Sequence, residues 1–288
     1  MKLKKLLMPK VEMNPIVNMN RDAHVVKYMK MQLNGYKLLE ELYRVPSIPH
    51  RRFMFEQIEF IKGAKVLDYG CWQSLFWVEN SDRIPQENDY TLIDEAQLNI
   101  KLTKQALQQS KVPFNISLMS FGDLNYNNNQ FDVILSESGF MCMKQDTQRR
   151  AFYEAHRVLK QDGVFYCLIR DNSFADGIYR LLNSFDKELK YNVIFENNIN
   201  SKELFMEKIS PLYENISFVE KTDDFIVTDV KFMVNFLLNI DQNHNFMDRV
   251  VKQHKLKAFE DYLKAIVERE GGIKLTRTYH LAICKNKK

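Results

Sequence analysis

Gly63-Ala-Lys-Val-Leu-Asp-Tyr-Gly-Cys-Trp-Gln-Ser74 is the stretch that decides the fold. A short apolar run ends in Asp68 and turns at Gly70, the pattern of a first strand entering the nucleoside-binding turn of a Rossmann-like sheet. A second apolar run, Tyr90-Thr-Leu-Ile-Asp94, also closes on an acid, at the spacing expected for a carboxylate facing a ribose. Two strand-end acids in this relation point to an enzyme that uses a nucleoside cofactor.

Strand and helix signals alternate outward from that stretch. After strand 65–68 the pattern predicts a helix from about Leu75, a strand Thr91 to Asp94, a helix around Asn99 to Gln109, and a strand Asn115 to Met119. Phe131-Asp-Val-Ile-Leu135 follows a polar turn as a fourth strand, a helix runs from Gln145 to Lys160, and Gly163 opens a buried fifth strand to Ile169. Such alternation requires crossovers, hence a doubly wound, mainly parallel sheet with helices on both faces. Ahead of it, residues 22–61 show helical spacing broken by Pro46 and Pro49. Behind it, Val230 to Ile240 and Lys255 to Arg269 read as helices, and Phe225–Thr228 and Tyr279–Cys284 as late strands. The expected organisation is therefore a tail and helical lid over residues 1–60, a Rossmann-like cofactor-binding core over 61–170, and cap helices with final strands over 171–288.

Composition narrows the classes. The formal charge of +4 comes from the ends, where Lys2, Lys4, Lys5, Lys10, Lys285, Lys287 and Lys288 lie; without these seven, 34 basic residues face 37 acidic ones. A body of net −3 offers no general field for nucleic acid. The opening Met1–Met8 imitates the start of a secretion signal, but Pro9 and Lys10 end it, and it reads as a flexible tail. With no membrane-length apolar run, the expectation is a soluble cytoplasmic protein. Cys71, Cys142, Cys167 and Cys284 are scattered like free thiols, and the six histidines show no metal spacing. Met141 and Met143 read as packing or pocket lining, His156 as part of a helix, Asn127–Asn129 as a surface turn, and Arg149-Arg150 as a solvated face.

The chain resembles the class I S-adenosylmethionine-dependent methyltransferases, in particular the type-11 group of bacterial proteins. The resemblance rests on Val66-Leu-Asp-Tyr-Gly70, Trp77-Val-Glu-Asn-Ser-Asp-Arg-Ile-Pro85, Phe131-Asp-Val-Ile134 and Glu154-Ala-His-Arg-Val-Leu-Lys-Gln-Asp-Gly163. A subgroup is similar also in Phe195-Glu-Asn-Asn198, Val227-Thr-Asp229 and Tyr279-His-Leu-Ala-Ile283.

That resemblance implies S-adenosyl-L-methionine as cofactor and a small-molecule methyl acceptor at O or N, with carbon the remaining option. It also implies roles. Asp68 would accept from the cofactor's amino group, Gly70 would let the backbone pass its amino-acid end, and Asp94 would take both ribose hydroxyls, with Trp72 and Glu95 beside them. Ser120 stands where many relatives carry an acid for the adenine amino group, Phe121 borders the ring, and Ser136 and Glu137 end the fourth strand. Glu137 is the candidate general base.

The chain also departs from the pattern. Trp72 and Ser74 replace two further glycines of the first turn, and Phe140-Met-Cys-Met143 occupies the region where the subgroup carries a Tyr-His pair. These departures sustain an alternative reading: a non-catalytic protein that keeps the fold and acts as a scaffold or binding partner. A dinucleotide oxidoreductase is disfavoured, because the helix after Gly70 lacks the glycines that bring a pyrophosphate close.

Overall fold

Strand β1 (Lys65–Tyr69) is buried from its second residue onward, and its side chains alternate between two apolar clusters. Leu67 and Tyr69 enter one, while Val66 enters the other. The two-residue period places Asp68 on the Val66 side. Burial on both faces explains why β1 reads as a continuous apolar run. The computed structural model describes residues 34–137, 139–143, 145–189, 201–240 and 246–286.

β1 pairs in parallel with β2 (Asp89–Asp94) on one side and β4 (Phe131–Ser136) on the other. β3 (Phe114–Leu118) adds in parallel to β2, and β5 (Leu159–Arg170) to β4. β7 (Ile273–Asn286) runs antiparallel to β5, and β6 (Tyr213–Val227) completes the order β3-β2-β1-β4-β5-β7-β6. The chain winds one way from β1 to β3 and then resumes at β4 on the other side of β1. The tips of β1 and β4 are therefore the switch point where open α/β sheets bind ligands.

Helices cover both faces. Residues 34–43 form α1. α2 (His50–Gln57) and α3 (Leu75–Glu79) bring Met54, Phe55, Phe76 and Trp77 to the Val66 cluster. α4 (Gln97–Ala106) follows β2. α5 (Gln145–Val158) sends Ala151, Phe152, Ala155 and Val158, a helical stripe, into the Leu67 cluster, joined there by Phe205 and Ile209 of α7 (Lys202–Ile209). The remaining helices are α6 (Ser173–Phe185), α8 (Val230–Ile240), α9 (Phe246–Lys252) and α10 (Leu256–Glu270).

By packing, the described residues form two units. The first draws on residues 46–137, 139–143, 145–174, 201–223 and 277–286, and contains both apolar clusters. The second draws on residues 34–45, 175–189, 224–240 and 246–276. In it Tyr36 meets Phe236 edge-on, Tyr43 packs on Phe232, and Phe185 touches Phe259 and Tyr262. These aromatics pack within their own unit, with Phe236 and Phe259 buried. The 195–198 motif lies outside the described residues.

Several bounds differ from expectation. The helix expected to reach Lys160 stops at Val158, because Leu159 pairs with Phe131 and so starts β5 early. The late strands are longer than their apolar centres, at 15 residues for β6 and 14 for β7.

Candidate functional site

All of the expected site residues fall in the first unit, at the C-terminal tips of β1, β2, β3 and β4. Asp68 is 3% exposed, and the indole N–H of Trp77 donates to its Oδ2 at 2.7 Å. Burial pushes its carboxyl up to about 8, against the pull of the Trp77 bond and with help from the nearby charges of Glu137 and Asp94.

The turn that follows keeps an unusual backbone. Gly70 has φ +85°, and Trp72 and Ser74 have φ 50° and 56°, left-handed values that cost non-glycine residues about 1–2 kcal/mol each. Those two are the positions where the resemblance places glycines. Thr103 of α4 holds the turn in place: its Oγ1 donates to the Trp72 carbonyl at 2.9 Å and accepts from Ser74 Oγ at 3.0 Å. A Cβ on Gly70 would lie 2.6 Å from Gly139 Cα, so the turn and the segment after β4 touch backbone to backbone. Ser136 is spent inside this contact, donating from Oγ to the Tyr69 carbonyl at 2.8 Å.

Asp94 already serves three donors. The Trp72 N–H binds its Oδ2 at 3.0 Å, and the Ala96 N–H and Asn99 side chain bind Oδ1 at 2.9 and 3.0 Å. Burial raises this carboxyl above the usual range, opposed by the same three bonds. Glu95, one residue on, is exposed and reaches the loop after β3: its Oε1 accepts the Phe121 N–H at 2.6 Å and the Ser120 hydroxyl at 3.3 Å. Phe121 is buried edge-on to Tyr69, whose hydroxyl donates to the Phe121 carbonyl. A recess of about 340 Å³ opens here, lined by Glu95, Leu118, Met119 and Ser120.

Glu137 sits in an ion network. Arg51 Nε donates to its Oε1 at 2.8 Å, His50 Nε2 lies 3.2 Å from the same oxygen, and Arg51 also reaches Glu79 at 2.6 Å. Burial alone would raise the Glu137 carboxyl, but the Arg51 charge and the His50 bond override it and hold the group well below the usual carboxylate range. A carboxylate held so firmly ionised is a weak proton acceptor, which speaks against the role of general base. His50 in turn stacks on Tyr279 with ring centroids 4.6 Å apart. Phe140, where the subgroup has its Tyr-His pair, is core, stacked on Phe152 at 4.4 Å. Met143 is buried, and Met141 Sδ accepts the Arg170 N–H. Among the described residues no cluster of His, Cys, Asp and Glu could hold a metal ion. No described helix is long and apolar enough to cross a membrane.

Sequence reading missed the partners Trp77, Asn99, Thr103, His50 and Arg51. Only Trp77 left a signal: a tryptophan nine residues after a strand-end acid, at the head of the stretch Trp77 to Pro85.

The sheet order and the strand-tip acids at its switch point define a class I methyltransferase fold. Residues 66–163 match a family model described as a methyltransferase domain. The fold is similar to that of BH2331 from Bacillus halodurans C-125, at 11% identity over 82% of this chain and 99% of that one, TM-score 0.51. It is likewise similar to YcgJ of Bacillus subtilis, at 13% identity over 83% and 98%, TM-score 0.52. The cyclase SpnF is a third, at 14% identity over 90% and 97%, TM-score 0.51. No curated sequence matches the chain. A fold shared with a cyclase does not by itself fix a reaction.

Proposed function

We propose that this chain is an S-adenosylmethionine-dependent methyltransferase that moves a methyl group to O or N of a small molecule, with carbon as the remaining acceptor atom. The observation that carries the reading is the turn after β1. Gly70, Trp72 and Ser74 are all left-handed, so a glycine-type turn persists at the switch point although two of its glycines have gone.

The residues present fit the cofactor. A carboxylate offers about four acceptor sites, and the three donors on Asp94 leave one of them for a ribose hydroxyl. Gly70 and Asp68 would stand by the amino-acid end, and Glu95, Ser120 and Phe121 by the base. S-adenosylmethionine, when bound, supplies an electrophilic methyl group on a sulfonium. The protein's share is to bind, to exclude water and to align the acceptor roughly 3 Å from that methyl group. With Glu137 locked to Arg51, acceptors that need no strong base, such as a neutral amine or an acidic phenol, suit the site best. The free thiols of Cys71, Cys167 and Cys284 support a reducing, cytoplasmic setting, and the acidic body supports a small-molecule partner over nucleic acid.

Specific contacts favour a second reading, a scaffold or binding protein of the same fold. Trp77 caps Asp68, Asp94 is largely satisfied from within, and Gly139 lies against Gly70. Calorimetry and thermal melting with S-adenosylmethionine and S-adenosylhomocysteine decide between them. Micromolar binding, about 8 kcal/mol, is the expected result, weakened about 1–3 kcal/mol by Asp94→Ala. Neither heat nor stabilisation at millimolar ligand would leave the scaffold reading standing.

A further inference from the structure

The recess at the tips of β2 and β3 combines two kinds of surface. Leu118, 52% exposed, and Met119 give it apolar walls, while Glu95 and Ser120 give it a carboxylate and a hydroxyl. Both hydrogen bonds that fix the Glu95 carboxylate fall on Oε1, from the Phe121 N–H at 2.6 Å and Ser120 Oγ at 3.3 Å. Oε2 takes none from the described residues. Phe121 and Ser120 thus orient an acid whose second oxygen keeps its acceptor capacity. Apolar walls beside one charged acceptor are the surroundings that recognise a flat heterocycle carrying an amino group.

We propose that Glu95 is a specificity-determining residue: its carboxylate reads the exocyclic amino group of the adenine ring. The proposal rests on the cofactor reading above and names which residue selects the base. It also accounts for Ser120. A serine there is a weak acceptor for an amino group, and this serine donates to Glu95, so the carboxylate at this corner comes from the β2 tip.

The test uses S-adenosylhomocysteine and S-inosylhomocysteine, which carries a carbonyl oxygen in place of the amino group. Both are titrated calorimetrically into the wild-type chain, Glu95→Gln and Glu95→Ala. The wild type should prefer the adenosyl ligand at least tenfold, because the inosyl oxygen faces a carboxylate. Glu95→Gln keeps an acceptor for the Phe121 N–H and adds a donor for the inosyl oxygen, so the preference should fall to about threefold or less. An unchanged preference in Glu95→Gln would overturn the proposal and leave the cofactor reading intact. Tighter adenosyl binding by Glu95→Ala would also overturn it, showing that the carboxylate fills the ring's place. If none of the three proteins binds either ligand, the cofactor reading fails and the proposal with it.

Discussion

The indole N–H of Trp77 donates to Asp68 Oδ2 at 2.7 Å, nine residues away and inside an apolar cluster. Among the described residues it is the one side-chain bond to that carboxyl group, and it joins the start of α3 to the tip of β1. Trp77→Phe keeps most of the packing and removes the donor. Unfolding by denaturant at pH 7 should show a loss of about 1–3 kcal/mol, the cost of leaving a buried polar group unsatisfied. A loss within 0.5 kcal/mol, about the scatter of a surface substitution, would show that the bond contributes nothing to folding.

The same carboxyl makes stability depend on pH. Burial raises it from 3.8 to about 8, so over that interval the folded chain binds a proton that the unfolded chain has released. Its contribution is fully present below pH 4 and is lost as pH rises through 8. The ceiling on that loss is about 6 kcal/mol, at 1.36 kcal/mol per pH unit. Asp68→Asn mimics the neutral form throughout. Melting temperatures from pH 5 to 9 should therefore fall more steeply for the wild type than for Asp68→Asn, and parallel curves would show that Asp68 does not titrate in this range.

Gly70 and Gly139 meet where any side chain would collide. A Cβ on Gly70 meets Gly139 Cα at 2.6 Å at a left-handed φ, and a Cβ on Gly139 meets the Tyr69 carbonyl at 2.5 Å. Backbone cannot swing aside as a side-chain tip can. Each alanine substitution should destabilise by about 3 kcal/mol or more, combining overpacking with backbone strain at Gly70. Chemical denaturation of the two single variants and the double variant checks this. Because both disturb one contact, the double variant should lose less than the sum.

The parallel half of the sheet was legible because each strand is an apolar run bounded by polar turns, and the strand-end acids mark the tips. Asp68, Gly70 and Asp94 stand where those runs end. β6 was legible only at its apolar end, since it is last in the strand order and most of its residues are partly or fully exposed. What the sequence could not supply were pairs remote along the chain. Arg51 and Glu137 are 86 residues apart, and Glu95 and Phe121 are 26 apart. No local pattern encodes such contacts, yet they decide which partners the strand-end acids have. Glu137 looks the same in sequence whether it is free to accept a proton or bound to an arginine.

Trp72 and Ser74 separate strain from hydrogen bonding in the turn. Both sit in the left-handed region, where glycine relieves about 1 kcal/mol or more. The Trp72 carbonyl and N–H make the contacts to Thr103 and Asp94, and glycine retains them. Ser74 is buried, and its hydroxyl donates to Thr103 Oγ1. Removing that hydroxyl costs about 1 kcal/mol and leaves Thr103 Oγ1 with the weaker Cys71 Sγ contact at 3.7 Å from the turn. Trp72→Gly should therefore raise stability by about 1 kcal/mol in denaturant unfolding, whereas Ser74→Gly should leave it nearly unchanged because gain and loss cancel. Destabilisation by Trp72→Gly would mean that the indole packs favourably enough to outweigh the strain, and the turn would then be held by its side chains as well as by its backbone.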